Sequence, residues 1–185
     1  MEIKVLTNEE RCAKWQEMRK ELDELLPKLK EQAKQMTDEE IEEKESETNH
    51  QLVEIAKKEG EYSKIFKQNN KDDKIWIVDT LQEVMLNIEA EKASQINKVY
   101  DTEGVYRLDM RILRRTMHAR ALMVVRGNRT GNQKMIDVNT KEILQLQEEY
   151  NKLAEGRCKK LNYFIDEFPK VQKECNEMRG EAKND

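Results

Sequence analysis

Residues whose types and spacing could do chemistry are few in this chain. Its two histidines are His50 and His118. Glu47-Thr48-Asn49-His50 has the spacing of one ExxH half of a di-iron bundle site, with carboxylate and imidazole one helical turn apart. Such a site needs a second ExxH and two further inward glutamates, but the residue three before His118 is Arg115. A guanidinium is no ligand, so Glu47 and His50 read as solvated surface residues. Gly127-Asn128-Arg129-Thr130-Gly131-Asn132 is punctuated by glycine, yet it lacks the lysine and the preceding strand of a phosphate-binding loop. Cys12, Cys158 and Cys175 are odd in number, far apart and without a CxxC pair, which reads as free thiols in a reducing compartment. The expectation is a non-enzymatic protein with no catalytic residue, metal or cofactor.

One segment does concentrate charge. Arg107, Arg111, Arg114, Arg115, Arg120, Arg126 and Arg129 face a single acid, Asp109, giving a local net charge of +6. Arg107, Arg111, Arg114 and His118 step along one helical face. Planar guanidinium forks suit carboxylates and phosphates alike, so the stripe could meet an acidic protein, nucleic acid or an anionic membrane. Residues 38–47 supply the opposite sign: seven acids against Lys44 give −6. Charge pairing within the protein or between subunits is the favoured reading. Only Tyr106 lies close enough to stack on a base.

The elements that carry these residues are helices. Of 185 residues 39% are charged, while six glycines and two prolines supply few turns. Apolar residues recur at steps of three and four, against both sheet and disorder. The first helix is expected over 7–36, with Thr7 and Glu10 as a capping box and a seam of Trp15, Met18, Leu22, Leu25, Leu29 and Met36, with Gln32 its polar member. A second runs from Thr37 to about Lys67, with Thr37 and Glu40 as its box and Ile41, Thr48, Leu52, Ile55, Tyr62 and Phe66 inward. Asn69–Asp72 reads as a tight connection, and Trp15 and Trp76 as core residues. The third helix is expected from Lys74 to Arg126, with a stutter and a natural place for a break at Gly104. Residues 127–132 read as a loop. A fourth helix, capped by Asn139 and Glu142, is expected to continue through a shift near Gly156 to Met178.

Short connections make neighbours antiparallel. The expected fold is therefore all-α: an elongated antiparallel bundle of about four long helices with coiled-coil-like packing and a projecting two-helix hairpin. Residues 7–104 and 157–180 form its body and 105–156 the hairpin, in a single domain with an arm about 35 Å long. Tyr106, Met110, Leu113 and Met117 share one face of that arm. Leu108, Ile112, Ala119 and Met123 lie more than about 100° away on the helical wheel, where one companion helix leaves them exposed. Contiguous exposed apolar surface marks an interface. The partner surface is expected at Leu108, Ile112, Ala119 and Met123, with Arg107, Arg111, Arg114, Arg115 and His118 beside them.

The functional expectation is a structural or adaptor subunit that assembles with protein partners, as a hetero-oligomer or a homodimer. Small coiled-coil subunits of cytoskeletal, chromosomal or vesicle-tethering complexes have this general look. Two alternatives come from other classes: a membrane-binding helical dimer in the manner of BAR-type modules, and nucleic-acid binding through the Arg107–Arg129 stripe. The net charge of −4 counts against both, and no small-molecule substrate is expected. The first residues, MEIKVLTNEER, hold no apolar leader, and no apolar run approaches the ~20 residues of a membrane span, so a cytoplasmic or nuclear location is expected. On that reading the acceptor tripeptide Asn128-Arg129-Thr130 is inert.

Overall fold

Thr7 and Thr37 open the first two helices as their spacing to a glutamate predicts. Thr7 Oγ1 accepts from the Glu10 amide at 3.2 Å, and the Glu10 carboxylate accepts from the Thr7 amide at 3.0 Å. The Thr37–Glu40 box has the same reciprocal form, at 3.2 and 2.6 Å. In the computed structural model, which describes residues 4–69, 80–155, 157 and 160–181, these boxes start α1 (Asn8–Gln35) and α2 (Asp38–Asn69). There follow α3 (Leu81–Thr130), α4 (Gln133–Leu153), a π-helical turn (Tyr163–Glu167) and α5 (Phe168–Glu181). The fold is all-α, with long helices packed on one another and α3 beside α1, α2 and α4. The expected connection at 69–72, the expected helix start at Lys74, Trp76, Gly156 and Cys158 lie wholly or mostly outside the described residues.

The chain divides into two units, Met1–Gly104 and Val105–Asp185, and α3 contributes to both. In the first, Leu6, Met18, Leu22, Val84 and Ile88 form one buried cluster. Ala33, Ile41, Val99 and Tyr100 form another. Beyond Leu22 the inward face of α1 keeps Leu29 and Met36 of the expected seam and departs from it before each of them. Leu26 and Ala33 pack inward, whereas Leu25 and Gln32 are exposed. A helix with 3.6 residues per turn drifts off a strict seven-residue repeat, and the step of four from Leu22 to Leu26 absorbs the drift. Pro27 sits exposed inside α1. Gly104 does not interrupt α3. A Cβ there would lie 3.5 Å from Glu45 Oε2 and 3.7 Å from Ile41 Cγ2, so the glycine marks the close approach of α2.

The second unit is where the structure departs most from expectation. The loop expected at 127–132 shrinks to Gly131 and Asn132, because α3 stays helical through Thr130. Gly131 takes a φ of +68°, the left-handed region that ends a helix, and Asn132 at once caps α4 by accepting from the Met135 amide at 3.0 Å. Asn139, expected as the cap, lies buried in the first turns of α4 and donates to the Met135 carbonyl at 2.7 Å.

The fourth helix expected to reach Met178 ends at Leu153. Two polar side chains of α4 then dress the reversal of the chain. Asn151 accepts from the Leu161 amide at 2.7 Å and donates to the Leu161 carbonyl at 3.1 Å, and Gln147 accepts from the Tyr163 amide at 3.2 Å. Arg157 lies over the Tyr106 ring, 4.0 Å from its centre. Pro169 occupies the first turn of α5, where a missing N–H leaves no helical bond unmade. Residues 161–175 thus pack with 106–154: Val171 and Tyr163 share a core with Met110, Met117, Val124, Ile143 and Tyr150. The segment expected with the body belongs to the second unit, and the expected two-helix hairpin is a three-helix arrangement with its own core.

Candidate interaction surface

α3 passes through the second unit with one face spoken for. Met117 and Ala121 are completely buried, with Met110 and Val124 nearly so, and α4 answers with Ile143 and Tyr150. Ion pairs mark the edges of this buried face. Arg120 meets Glu142 of α4 at 2.5 Å on one side, and Arg114 meets Glu167 at 3.7 Å on the other. Arg129 donates to the Cys175 carbonyl and to Asn176 of α5, at 3.4 and 3.3 Å. The acids that Arg114 and Arg120 meet therefore lie in the same unit as the arginines.

The opposite face remains open. Leu108 is 49% exposed, Ile112 50% and Val105 50%, and Ala119 is exposed as well. Successive steps of three and four from Val105 through Leu108, Ile112 and Ala119 to Met123 keep these residues on one stripe, turned away from the core. Met123 is half-buried because it reaches toward α4. A shallow recess of about 420 Å³ lies along Arg115, Thr116, Ala119, Arg120 and Met123. A second recess, of about 320 Å³, shares Arg120 and Met123 and continues over Met135 and Val138 of α4. Together they make a groove that begins on α3 and opens across the start of α4.

Of the residues expected at an interface, Leu108, Ile112, Ala119 and Met123 share this stripe. Arg115 and His118 are exposed on the flank nearer α5, together with Arg126. Arg111 is exposed on the same flank, and Arg107 is half-buried. Arg114 lies at the edge of the core with Glu167, outside the stripe. Sequence reading missed Met135 and Val138, because the fourth helix was expected to begin at Asn139. Asn132, placed three residues before Met135, was the signal that could have found them.

Groups suited to chemistry do not gather here. Among the described residues, no three His, Cys, Asp or Glu side chains are arranged to hold a metal ion. His50 and His118 are both exposed, and Glu47 pairs with Lys44 at 2.5 Å. Burial shifts the pKa of two groups upward. Burial, with Glu59 nearby, raises Glu83 in the first unit. Tyr163, in the core of the second, is pushed up to about 12 by burial first and then by Glu167 and Glu174. Neither borders the groove. No described helix is long and apolar enough to cross a membrane. No family model, curated protein or solved structure matches the chain.

Proposed function

We propose that this protein is a non-enzymatic assembly subunit that binds a protein partner through the outer stripe of α3. The observation that carries the reading is the half-exposure of Leu108 and Ile112 on a helix whose opposite face already fills a complete core. Burying an isoleucine or leucine side chain from water is worth about 1.5–3 kcal/mol, so a stripe of them held open is a stable offer to a partner. The exposed thiol of Cys12 and the free Cys175 support a reducing compartment, cytoplasm or nucleus, as the place where this happens.

The test compares the wild-type chain with a Leu108→Ser/Ile112→Ser variant, by light scattering after size exclusion and by capture of partner proteins. Both substitutions fall on exposed positions, so helicity in circular dichroism should stay unchanged while association is lost. A wild-type chain that is monomeric at tens of micromolar, with the same captured proteins as the variant, would refute the proposal. Flotation with anionic liposomes is the parallel arm for the membrane alternative. A steep salt dependence of nucleic-acid binding, relieved by Arg111→Ala and Arg114→Ala, is the arm for the other.

A further inference from the structure

The groove on α3 has a chemistry that narrows its occupant, on the premise that the stripe binds protein. We infer that it receives an amphipathic helix whose apolar seam is flanked by acidic residues, supplied by a different protein. From Leu108 to Met123 the stripe spans sixteen residues, about 22 Å along the helix axis. A partner helix of about four turns covers it. Ala119 lets the partner's backbone come close at the middle, and the recess continuing to Met135 and Val138 gives its seam a second wall. Laying a helix into a groove between two helices buries an apolar face without leaving a backbone group unpaired.

Charge decides what flanks that seam. Arg115 and Arg126 stand on one edge of the stripe, eleven residues or about 16 Å apart, and neither forms an ion pair among the described residues. His118 is exposed on the same flank. On the opposite edge Arg120 is already held by Glu142. A partner helix therefore meets positive charge at Arg115 and Arg126 along one edge and at Lys134 beside Met135 and Val138 on the other, so acidic flanking residues gain attraction on both.

The chain's own most acidic stretch does not supply such a helix. That stretch, 38–47, has Ile41 as its sole apolar residue, and Ile41 is buried in the first unit against Ala33, Val99 and Tyr100. A second copy pairing stripe to stripe in the antiparallel sense, centred on itself, puts the arginine edges of both copies on the same side with Arg115 next to its own symmetry mate, which is repulsive. A lipid surface fits less well, because the stripe carries no Trp or Phe to anchor in an interface.

The experiment selects from a displayed library of four-turn helices with a fixed leucine seam and randomised flanking positions. Selection runs against the full-length chain, with the Leu108→Ser/Ile112→Ser variant as the counter-selection. Acidic flanks should be enriched, and a selected peptide should bind roughly tenfold more tightly than its lysine-flanked twin at low salt. Arg115→Glu/Arg126→Glu should reverse that preference. Enrichment of neutral or basic flanks overturns the inference while leaving the stripe as a protein-binding face. Self-association abolished by the serine variant, or flotation on phosphatidylserine vesicles abolished by it, assigns the stripe to another copy or to a membrane and overturns it as well. No enrichment over the counter-selected variant refutes both the inference and the function on which it rests.

Discussion

Gly127 and Ile136 meet at the corner between α3 and α4 so closely that a Cβ on the glycine would lie 2.9 Å from Ile136 Cγ1. The same Cβ would be 3.2 Å from the Asn132 carbonyl oxygen and 3.3 Å from the Ile136 amide nitrogen. A flexible side chain can move aside, but the two backbone atoms are fixed by the cap of α4. Gly127→Ala should therefore destabilise the protein by about 1–3 kcal/mol, as overpacking does, despite the ~1 kcal/mol that alanine gains over glycine inside a helix. Gly131→Ala meets open space instead, and its penalty comes from the positive φ, about 1–2 kcal/mol. Urea denaturation of both variants checks the pair. A Gly127→Ala protein more stable than wild type would show that the corner yields to the added methyl group.

Thr48 is a hydroxyl in a seam of apolar residues. It is buried, and its oxygen lies against the carbonyls of Lys44 and Glu45, both at 3.0 Å, and against Asn97 Oδ1 of α3. Thr48→Val keeps the shape and removes the donor, leaving the half-buried Asn97 amide oxygen without it. A loss of about 1–3 kcal/mol is expected, the usual penalty for stranding a polar partner. Thr48→Val/Asn97→Leu removes both ends and should recover most of that loss. A double-mutant cycle by denaturation measures the coupling, and strict additivity would show that the contact contributes nothing.

The Tyr163 hydroxyl is buried and finds no hydrogen-bond partner among the described residues. Tyr163→Phe removes a polar atom that burial has penalised, so at neutral pH the variant should be as stable as wild type or about 1 kcal/mol more stable. The alkaline side gives an independent readout. With a pKa raised from 10.0 to about 12, the folded protein keeps a proton that the unfolded chain loses. Stability attributed to this group is then present below pH 10 and falls as pH rises from 10 towards 12. The phenylalanine variant should lose less stability over that interval, and parallel curves for the two proteins would contradict the buried phenol.

How much of this was legible in the sequence differs from one feature to the next. The starts of α1 and α2 were, because a capping box is a purely local device and its two partners sit three residues apart in the chain. Leu108 and Ile112 were also legible, since angles on a helical wheel follow from spacing alone. The reversal after Leu153 was not. Leu161, Phe164, Phe168 and Val171 keep a helical step whether they continue α4 or fold back beside α3, so periodicity carries no sign of direction. What turns the chain is the grip of Asn151 and Gln147 on backbone groups of Leu161 and Tyr163, a relation between residues up to sixteen apart. The wall formed by Met135 and Val138 was lost for a smaller reason, the choice between Asn132 and Asn139 as the cap.

Glu83 offers the test on the acid side. It sits in the first turn of α3, where its amide donates to Thr80 Oγ1 at 3.3 Å while its own Oε2 finds no hydrogen-bond partner among the described residues. Burial raises its pKa and the Glu59 carboxylate raises it further. The folded protein therefore takes up a proton at a pH where the unfolded chain has already lost its own. Stability from this group is fully present below the ordinary carboxylate value of 4.5 and is lost as pH rises through the elevated folded value. Glu10, Glu54 and Glu148 act in the other direction, because hydrogen bonds and lysine neighbours lower their pKa values, so the whole protein's acid profile is a composite. The difference between wild type and Glu83→Gln isolates the one group. The glutamine variant should be the more stable at pH 7, and its advantage should shrink as pH falls towards 4.5. Denaturation curves at intervals across that range decide it. An advantage that stays constant, or a variant weaker at pH 7, would mean that Glu83 is better solvated or better paired than its buried oxygen implies.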